Sequence, residues 1–144
     1  MRDQIINEAI DWVGTPFILG AQLKGIGVDC ARLPVAIALQ LNLITQSQVD
    51  NIPVYDLEYH IHNEDEKLLN ILEGFGCTKV DEMKPGDILA FQYGRSCSHL
   101  GILINDCQFV HAYSMMARPR VVINTLGGEF LPRLKAVYSF PGVQ

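Results

Sequence analysis

The side chains in this sequence best suited to nucleophilic chemistry are one cysteine and two histidines. Residues 25–43 read Gly-Ile-Gly-Val-Asp-Cys-Ala-Arg-Leu-Pro-Val-Ala-Ile-Ala-Leu-Gln-Leu-Asn-Leu. A loop with two glycines ends at Asp29 and Cys30 follows; from Leu33 to Leu43 only Gln40 and Asn42 are polar. Asp is a good N-cap, so Asp29 or a neighbour is expected to open a helix here. Being apolar nearly all round, that helix belongs inside the fold. Free N–H groups and the positive end of the helix dipole would favour thiolate at Cys30, and thiolate is the reactive form. Position alone is not decisive, because free cysteine is also among the most buried residue types. Pro34 complicates the start, since in a helix beginning at Asp29 it would lack the N–H that bonds the Cys30 carbonyl. Either the first turn is distorted or the regular helix begins a few residues later, where its dipole acts less directly on the sulfur.

The histidines lie in Ser98-His99-Leu100-Gly101-Ile102 and Phe109-Val110-His111-Ala112, on either side of a turn at Asn105-Asp106. A two-residue loop pairs His99 with Ala112 and sends His111 to the opposite face. A three-residue loop of Asn105, Asp106 and Cys107 pairs His99 with Tyr113 and Gly101 with His111. Both histidines then share a face as diagonal neighbours, about 7–8 Å apart by Cα. Burial favours this second register weakly: it sets Leu100, Ile102 and Ile104 with Gln108, Val110 and Ala112, and His99, Gly101 and Leu103 with Phe109, His111 and Tyr113. A small Gly101 is expected to let the central helix approach and bring Cys30 to His99. There, Cys30 would be the nucleophile, and His99 would take its proton and return it to the leaving amine. His111 would orient His99 and stabilise its imidazolium, and the Cys30 backbone N–H would serve the oxyanion. Either histidine alone is more often an ordinary half-buried sheet residue; the joint order Asp-Cys, Ser-His, His favours chemistry.

In that order these stretches resemble the NlpC/P60 family of papain-like cysteine peptidases. Members usually read Asp-Cys-Ser-Gly-Leu, then His-Val-Gly-Ile, then a polar residue, often His, on the next strand. The resemblance takes in Trp12-Val13-Gly14-Thr15-Pro16-Phe17 and Lys84-Pro85-Gly86-Asp87-Ile88, so it covers most of the chain. Gly14-Thr-Pro-Phe followed by Leu23-Lys-Gly-Ile-Gly-Val-Asp-Cys looks most like the phage-encoded branch. The resemblance implies a papain-like α+β fold without a cofactor or metal. It implies hydrolysis of an amide in peptidoglycan stem peptides, commonly between D-glutamate and the diamino acid. Cys30, His99 and His111 would be catalytic, with Asp29 and Ser98 contacting the substrate's peptide amine. Phage tail proteins are candidate partners. Some residues depart from the pattern. Phe17 stands where the family usually has a Tyr whose hydroxyl contributes to the site. Ala31 and Arg32 stand where Ser and Gly are common, and Arg32 either crowds the cleft, offers a cation to an acidic substrate, or is merely solvated. With Pro34, these departures support a second reading, a non-enzymatic tail-tip module. A third keeps the Cys-His chemistry in an amidase or acyltransferase acting on another substrate.

The elements that must position these groups follow from pattern. A chain of 144 residues suits one domain, residues 1–144. A composition of 49% hydrophobic and 19% charged residues disfavours disorder. A net charge of −5 without any basic run disfavours nucleic acid. No apolar run reaches the length of a membrane span. Met1-Arg-Asp-Gln-Ile-Ile-Asn-Glu does not read as a secretory signal. Cytoplasmic synthesis is expected, and action at the cell wall would need another route out or carriage on a virion. The cysteines, 30, 77, 97 and 107, include no CxxC pair. They read as reduced thiols, although Cys97 and Cys107 flank one predicted hairpin and a disulfide stays open. His60-x-His62 would share a strand face, but no third metal ligand is evident. Helices are expected over 3–13, capped by Asp3, and over 64–74. A short edge strand is expected at 77–80, and antiparallel strands at 88–93, 99–104, 108–113, 120–124 and 136–140. Helices first and strands after make an α+β fold with a sheet of about five strands.

Overall fold

The computed structural model describes residues 1–52 and 66–144. Helices fill the first half and strands the second, as the change of hydrophobic period predicts. Helix α1 (Arg2–Asp11) buries Ile5 and Ala9. Its N-cap is Met1 rather than Asp3, and Asp3 sits in the first turn, where its charge suits the dipole. Trp12 ends the helix inside the core. Two short strands, β1 (Gln22–Leu23) and β2 (Gly27–Val28), fold the glycine-rich loop back on itself ahead of Cys30.

The central helix α2 is shorter than the apolar run, Arg32–Gln40, with Leu33 to Ala38 all buried. It begins two residues after Cys30, which resolves the difficulty at Pro34 in favour of the later start. Helix α3 (Gln46–Asp50), which the sequence reading did not anticipate, is opened by a capping box in which Thr45 and Gln48 satisfy each other's backbone N–H groups. The Thr-x-x-Gln spacing is its sequence signal. Helix α4 (Lys67–Gly74) follows. His60 and His62, with Tyr55 and Tyr59, lie outside the described residues.

The strands are β3 (Thr78–Lys79), β4 (Ile88–Tyr93), β5 (Ser96–Leu103), β6 (Gln108–Tyr113), β7 (Arg120–Thr125) and β8 (Leu134–Ser139). They form one six-stranded antiparallel sheet in the order β3-β8-β4-β5-β6-β7. The sheet has two packed faces. Leu100, Ile102, Val110 and Ala112 meet Ile5, Ala9, Leu33 and Ile37 of the helices on one. Leu89, Phe91, Leu103, Phe109 and Phe130 form an aromatic cluster on the other.

The 99–113 hairpin takes the three-residue loop, with Ile102 opposite Val110 and Leu103 opposite Phe109. Asn105 selects it: its Oδ1 accepts from the backbone N–H of Cys107 at 3.0 Å and of Gln108 at 2.8 Å. This is the local capping that makes Asn a turn former. Gly101 plays a different part from the one expected. A Cβ there would come within 2.7 Å of Phe109 Cδ2, so the glycine makes room for a ring rather than for α2. The central helix packs on the opposite face, against Leu100 and Ile102. All four cysteines are free.

Candidate active site

Three polar side chains form a straight diagonal across β5, β6 and β7. His99 Nε2 lies 2.7 Å from His111 Nδ1, and His111 Nε2 lies 2.7 Å from Asn124 Oδ1. The register dictates the line. His111 pairs with Val122 and Phe109 with Asn124, so Asn124 is displaced two residues from His111 just as His111 is from His99. Diagonal neighbours on one face are within reach of long polar side chains. Sequence reasoning missed Asn124, because the register of β6 against β7 depends on the long connection at 114–119.

The surroundings are aromatic. Tyr113 stacks on His111 with centroids 5.0 Å apart, Phe109 lies 4.3 Å from His111, and Tyr93 meets His99 edge-on at 6.0 Å. His111 is fully buried and His99 nearly so. Burial, then the neighbouring His111, holds His99 well below its ordinary value. Burial likewise lowers His111 to about 4, against the pull of its bond to Asn124. Both rings are therefore neutral at neutral pH.

Cys30 is 5% exposed, and its thiol donates to the Ser98 carbonyl at 3.5 Å. Ser98 is available because the β4–β5 ladder has a bulge. Phe91 pairs with His99 and Gln92 with Cys97, leaving Ser98 as the extra residue. Bulges are frequent beside active sites for this reason. Among the described residues, no hydrogen bond joins Cys30 Sγ to His99; the sulfur meets the backbone of the preceding residue instead. Burial first, then the Asp29 carboxylate, pushes the Cys30 thiol up to about 12, opposed by backbone N–H groups of Leu100, Ala31 and Cys30 itself. The expected thiolate is thus corrected to a thiol. The helix starts downstream, and the N–H groups of Ala31 and Arg32 are already taken by Asp29 Oδ1 at 3.1 and 2.8 Å. A carboxylate at that end offsets the dipole that would have acted on sulfur.

The NlpC/P60 family model matches residues 14–130. This chain belongs to the NlpC/P60 family. Its fold is similar to the NlpC/p60 domain of the peptidoglycan hydrolase SagA, at 18% identity over 97% of this chain and 99% of that one, with a TM-score of 0.62. It is also similar to an NlpC/P60 family protein from Bacillus cereus, at 19% identity over 95% of this chain and 39% of that one, with a TM-score of 0.63. NlpC2 from Trichomonas vaginalis matches at 15% identity over 96% and 46%, with a TM-score of 0.66. The chain spans less than half the length of the last two. No curated protein is matched by the sequence.

The remaining predicted site residues of this NlpC/P60 chain divide. Asp29 is fully buried; besides Ala31 and Arg32, it accepts from Gly20 N–H through Oδ2 at 2.6 Å, which ties the upstream loop to the start of α2. Arg32 is half-buried rather than solvated. It reaches Gln22 Oε1 at 3.4 Å, while its Nε is buried without a hydrogen-bond partner among the described residues. Phe17 packs against the helix-side core and bridges to Val28. Tyr93, which sequence reasoning did not single out, buries a hydroxyl with no hydrogen-bond partner among the described residues and carries the Arg133 guanidinium 4.3 Å over its ring. Among the described residues, no group of three acidic, histidine or cysteine side chains could hold a metal, and no helix is long and apolar enough to cross a membrane.

Proposed function

We propose that this chain is a cysteine endopeptidase that hydrolyses an amide in the stem peptide of bacterial peptidoglycan. The D-glutamyl–diamino acid bond is the one the family resemblance implies. The carrying observation is the bonded pair His99–His111, with the Cys30 thiol held on the carbonyl of the residue preceding His99. The similar SagA domain, which belongs to a peptidoglycan hydrolase, supports the substrate class.

Cys30 and His99 begin as neutral thiol and neutral imidazole. When a substrate carbonyl enters, the S–H proton passes to His99 and the sulfur attacks the carbon. The Cys30 backbone N–H faces the developing oxyanion. The imidazolium, stabilised by His111, returns its proton to the leaving amine, and water then releases the acyl group with His99 as base. Ser98 and Arg32 are assigned to the substrate side of the cleft. Asp29 anchors the loop, and a substrate amine would have to compete with three backbone N–H groups for it. Phage tail association, with synthesis in the cytoplasm and delivery on the virion, is the cellular setting proposed.

Mass spectrometry of purified muropeptides after incubation tests the reading. Expected is a single cleaved stem-peptide linkage, lost when Cys30 is alkylated; digestion that survives alkylation would defeat it. A second reading draws on the buried thiol at about 12. In it the domain is an inactive tail-tip module, and unchanged muropeptides with intact binding to tail proteins would favour it. An acyl product other than a cleaved peptide would point to an amidase or acyltransferase.

A further inference from the structure

We infer that Asn124 is a positioning residue that sets the proton pattern of both imidazoles, leaving His99 Nδ1 bare to accept the Cys30 proton. Its catalytic meaning rests on the peptidase reading, but the proton pattern can be measured without it.

A histidine as the third member of such a site is ambiguous. Either ring nitrogen of a neutral imidazole can carry the hydrogen, and the tautomer follows from the partners. If His111 Nδ1 carried the hydrogen, it would donate to His99 Nε2, and His99 would hold its own hydrogen on Nδ1. That tautomer can give a proton to sulfur but cannot take one. An outside group must choose between the two states.

Asn124 makes the choice. Its Oδ1 lies 2.7 Å from His111 Nε2, and an amide oxygen has no hydrogen to give. With that oxygen facing it, as the structure places the amide, His111 Nε2 is the N–H. In the neutral ring Nδ1 is then a lone pair, and it accepts from His99 Nε2–H at 2.7 Å. His99 is neutral too, so Nδ1 is its bare nitrogen. The donors run in one direction, from His99 to His111 to Asn124. In the reaction the S–H bond of Cys30 breaks and an N–H bond forms at His99 Nδ1. The Nε2–H stays in place, and no proton moves on to His111 or Asn124. The positive charge gained by His99 is met by the His111 lone pair, whose own N–H rests on the amide oxygen.

The strands leave little freedom for another pattern. His111 and Asn124 lie diagonally across the β6–β7 ladder, which is paired continuously from Gln108–Thr125 to Tyr113–Arg120. The stacked Tyr113 and the neighbouring Phe109 and Phe130 restrain the His111 ring, so rotation does not readily exchange its nitrogens.

Proton–nitrogen correlation spectra of the histidine rings in the full chain at neutral pH read the tautomers directly. Expected in the wild type are Nε2–H signals for both His99 and His111. Asn124→Ala should give His111 a mixed pattern with an Nδ1–H population. It should also slow iodoacetamide alkylation of Cys30 by roughly tenfold, at the lower end of what losing an outer partner does to a functional histidine. Asn124→Asp, which still accepts from Nε2–H, should restore both readouts. A His99 Nδ1–H signal in the wild type would overturn the inference, whatever the variants do. So would tautomers and alkylation unchanged in a folded Asn124→Ala chain. If muropeptides stay uncut while the tautomers follow Asn124, the proton pattern stands and the peptidase reading fails. Cleaved muropeptides with the opposite tautomers would leave the peptidase reading standing and remove the role of Asn124.

Discussion

Cys30 is positioned by a loop that closes on a carboxylate, whereas His99, His111 and Asn124 are positioned by the pitch of three paired strands. The first arrangement is local: Asp29 collects the N–H groups of Gly20, Ala31 and Arg32, and the sulfur rests just outside the regular helix. The second is long-range: each side chain reaches the next because the ladder repeats every two residues. Yet burial governs both halves. It raises the thiol and lowers the imidazoles, so both rest uncharged. An ion pair would have to form with substrate present, when the sulfur becomes a leaving or attacking group rather than a resting anion. On the proposed peptidase reading, the site would withhold its reactive form until substrate is bound, at a cost in resting thiol reactivity.

Each half can be disabled separately. The largest effect is expected from His99→Ala, which removes the base and should lower kcat/KM on muropeptides by about 10²–10⁴-fold while the fold persists. A loss much below tenfold would mean that the strand half does no chemistry. Next comes acid. Between the ordinary histidine value of 6.5 and about 4, the unfolded chain binds a proton that folded His111 refuses. Stability from this group is full above that window and is lost as pH falls through it. The Tm from circular dichroism should drop by roughly 5–10 °C between neutral pH and pH about 4, and less in His111→Asn. Equal slopes in the two proteins would sink this account of burial.

Gly101→Ala strikes the strand half alone. Its Cβ would meet Phe109 Cδ2 at 2.7 Å, and overpacking of this kind should cost about 1–3 kcal/mol in urea unfolding. Alkylation of Cys30 should change less than stability does; the reverse order would place Gly101 against the helix after all. The smallest effect is expected from Asp29→Asn, which keeps an acceptor for Ala31 and Arg32 but removes the charge that raises the thiol. Iodoacetamide should then react a few-fold faster at neutral pH, because more of the sulfur is thiolate. A slower reaction would mean that the loop has collapsed, which amide exchange at Ala31 would report.

Much of the strand half is legible in the chain itself. The turn at Asn105-Asp106 is plain in the sequence, but it admits two loop lengths, and the bonds from Cys107 and Gln108 N–H to Asn105 Oδ1 show which one the chain takes. The bulge at Ser98 carries no such signal. It is seen only in the ladder, which runs from Tyr93–Ser96 and Gln92–Cys97 to Phe91–His99 and so skips Ser98. The role of Gly101 is hidden for a related reason, since alternation tells which residues share a face but not which layer covers it.

By itself the sequence determined the order of helices and strands and the burial of the helix after Cys30, and it narrowed the 99–113 hairpin to two registers, of which the structure takes the one that puts His99 and His111 on one face. These follow from hydrophobic period and turn chemistry, which act over a few residues. Only the tertiary structure decided that Asn124 ends the diagonal, that Ser98 offers its carbonyl to the sulfur, and that both cysteine and histidines rest uncharged. Those outcomes depend on which strands lie side by side and how much water the packed layers exclude, quantities no local stretch of chain contains.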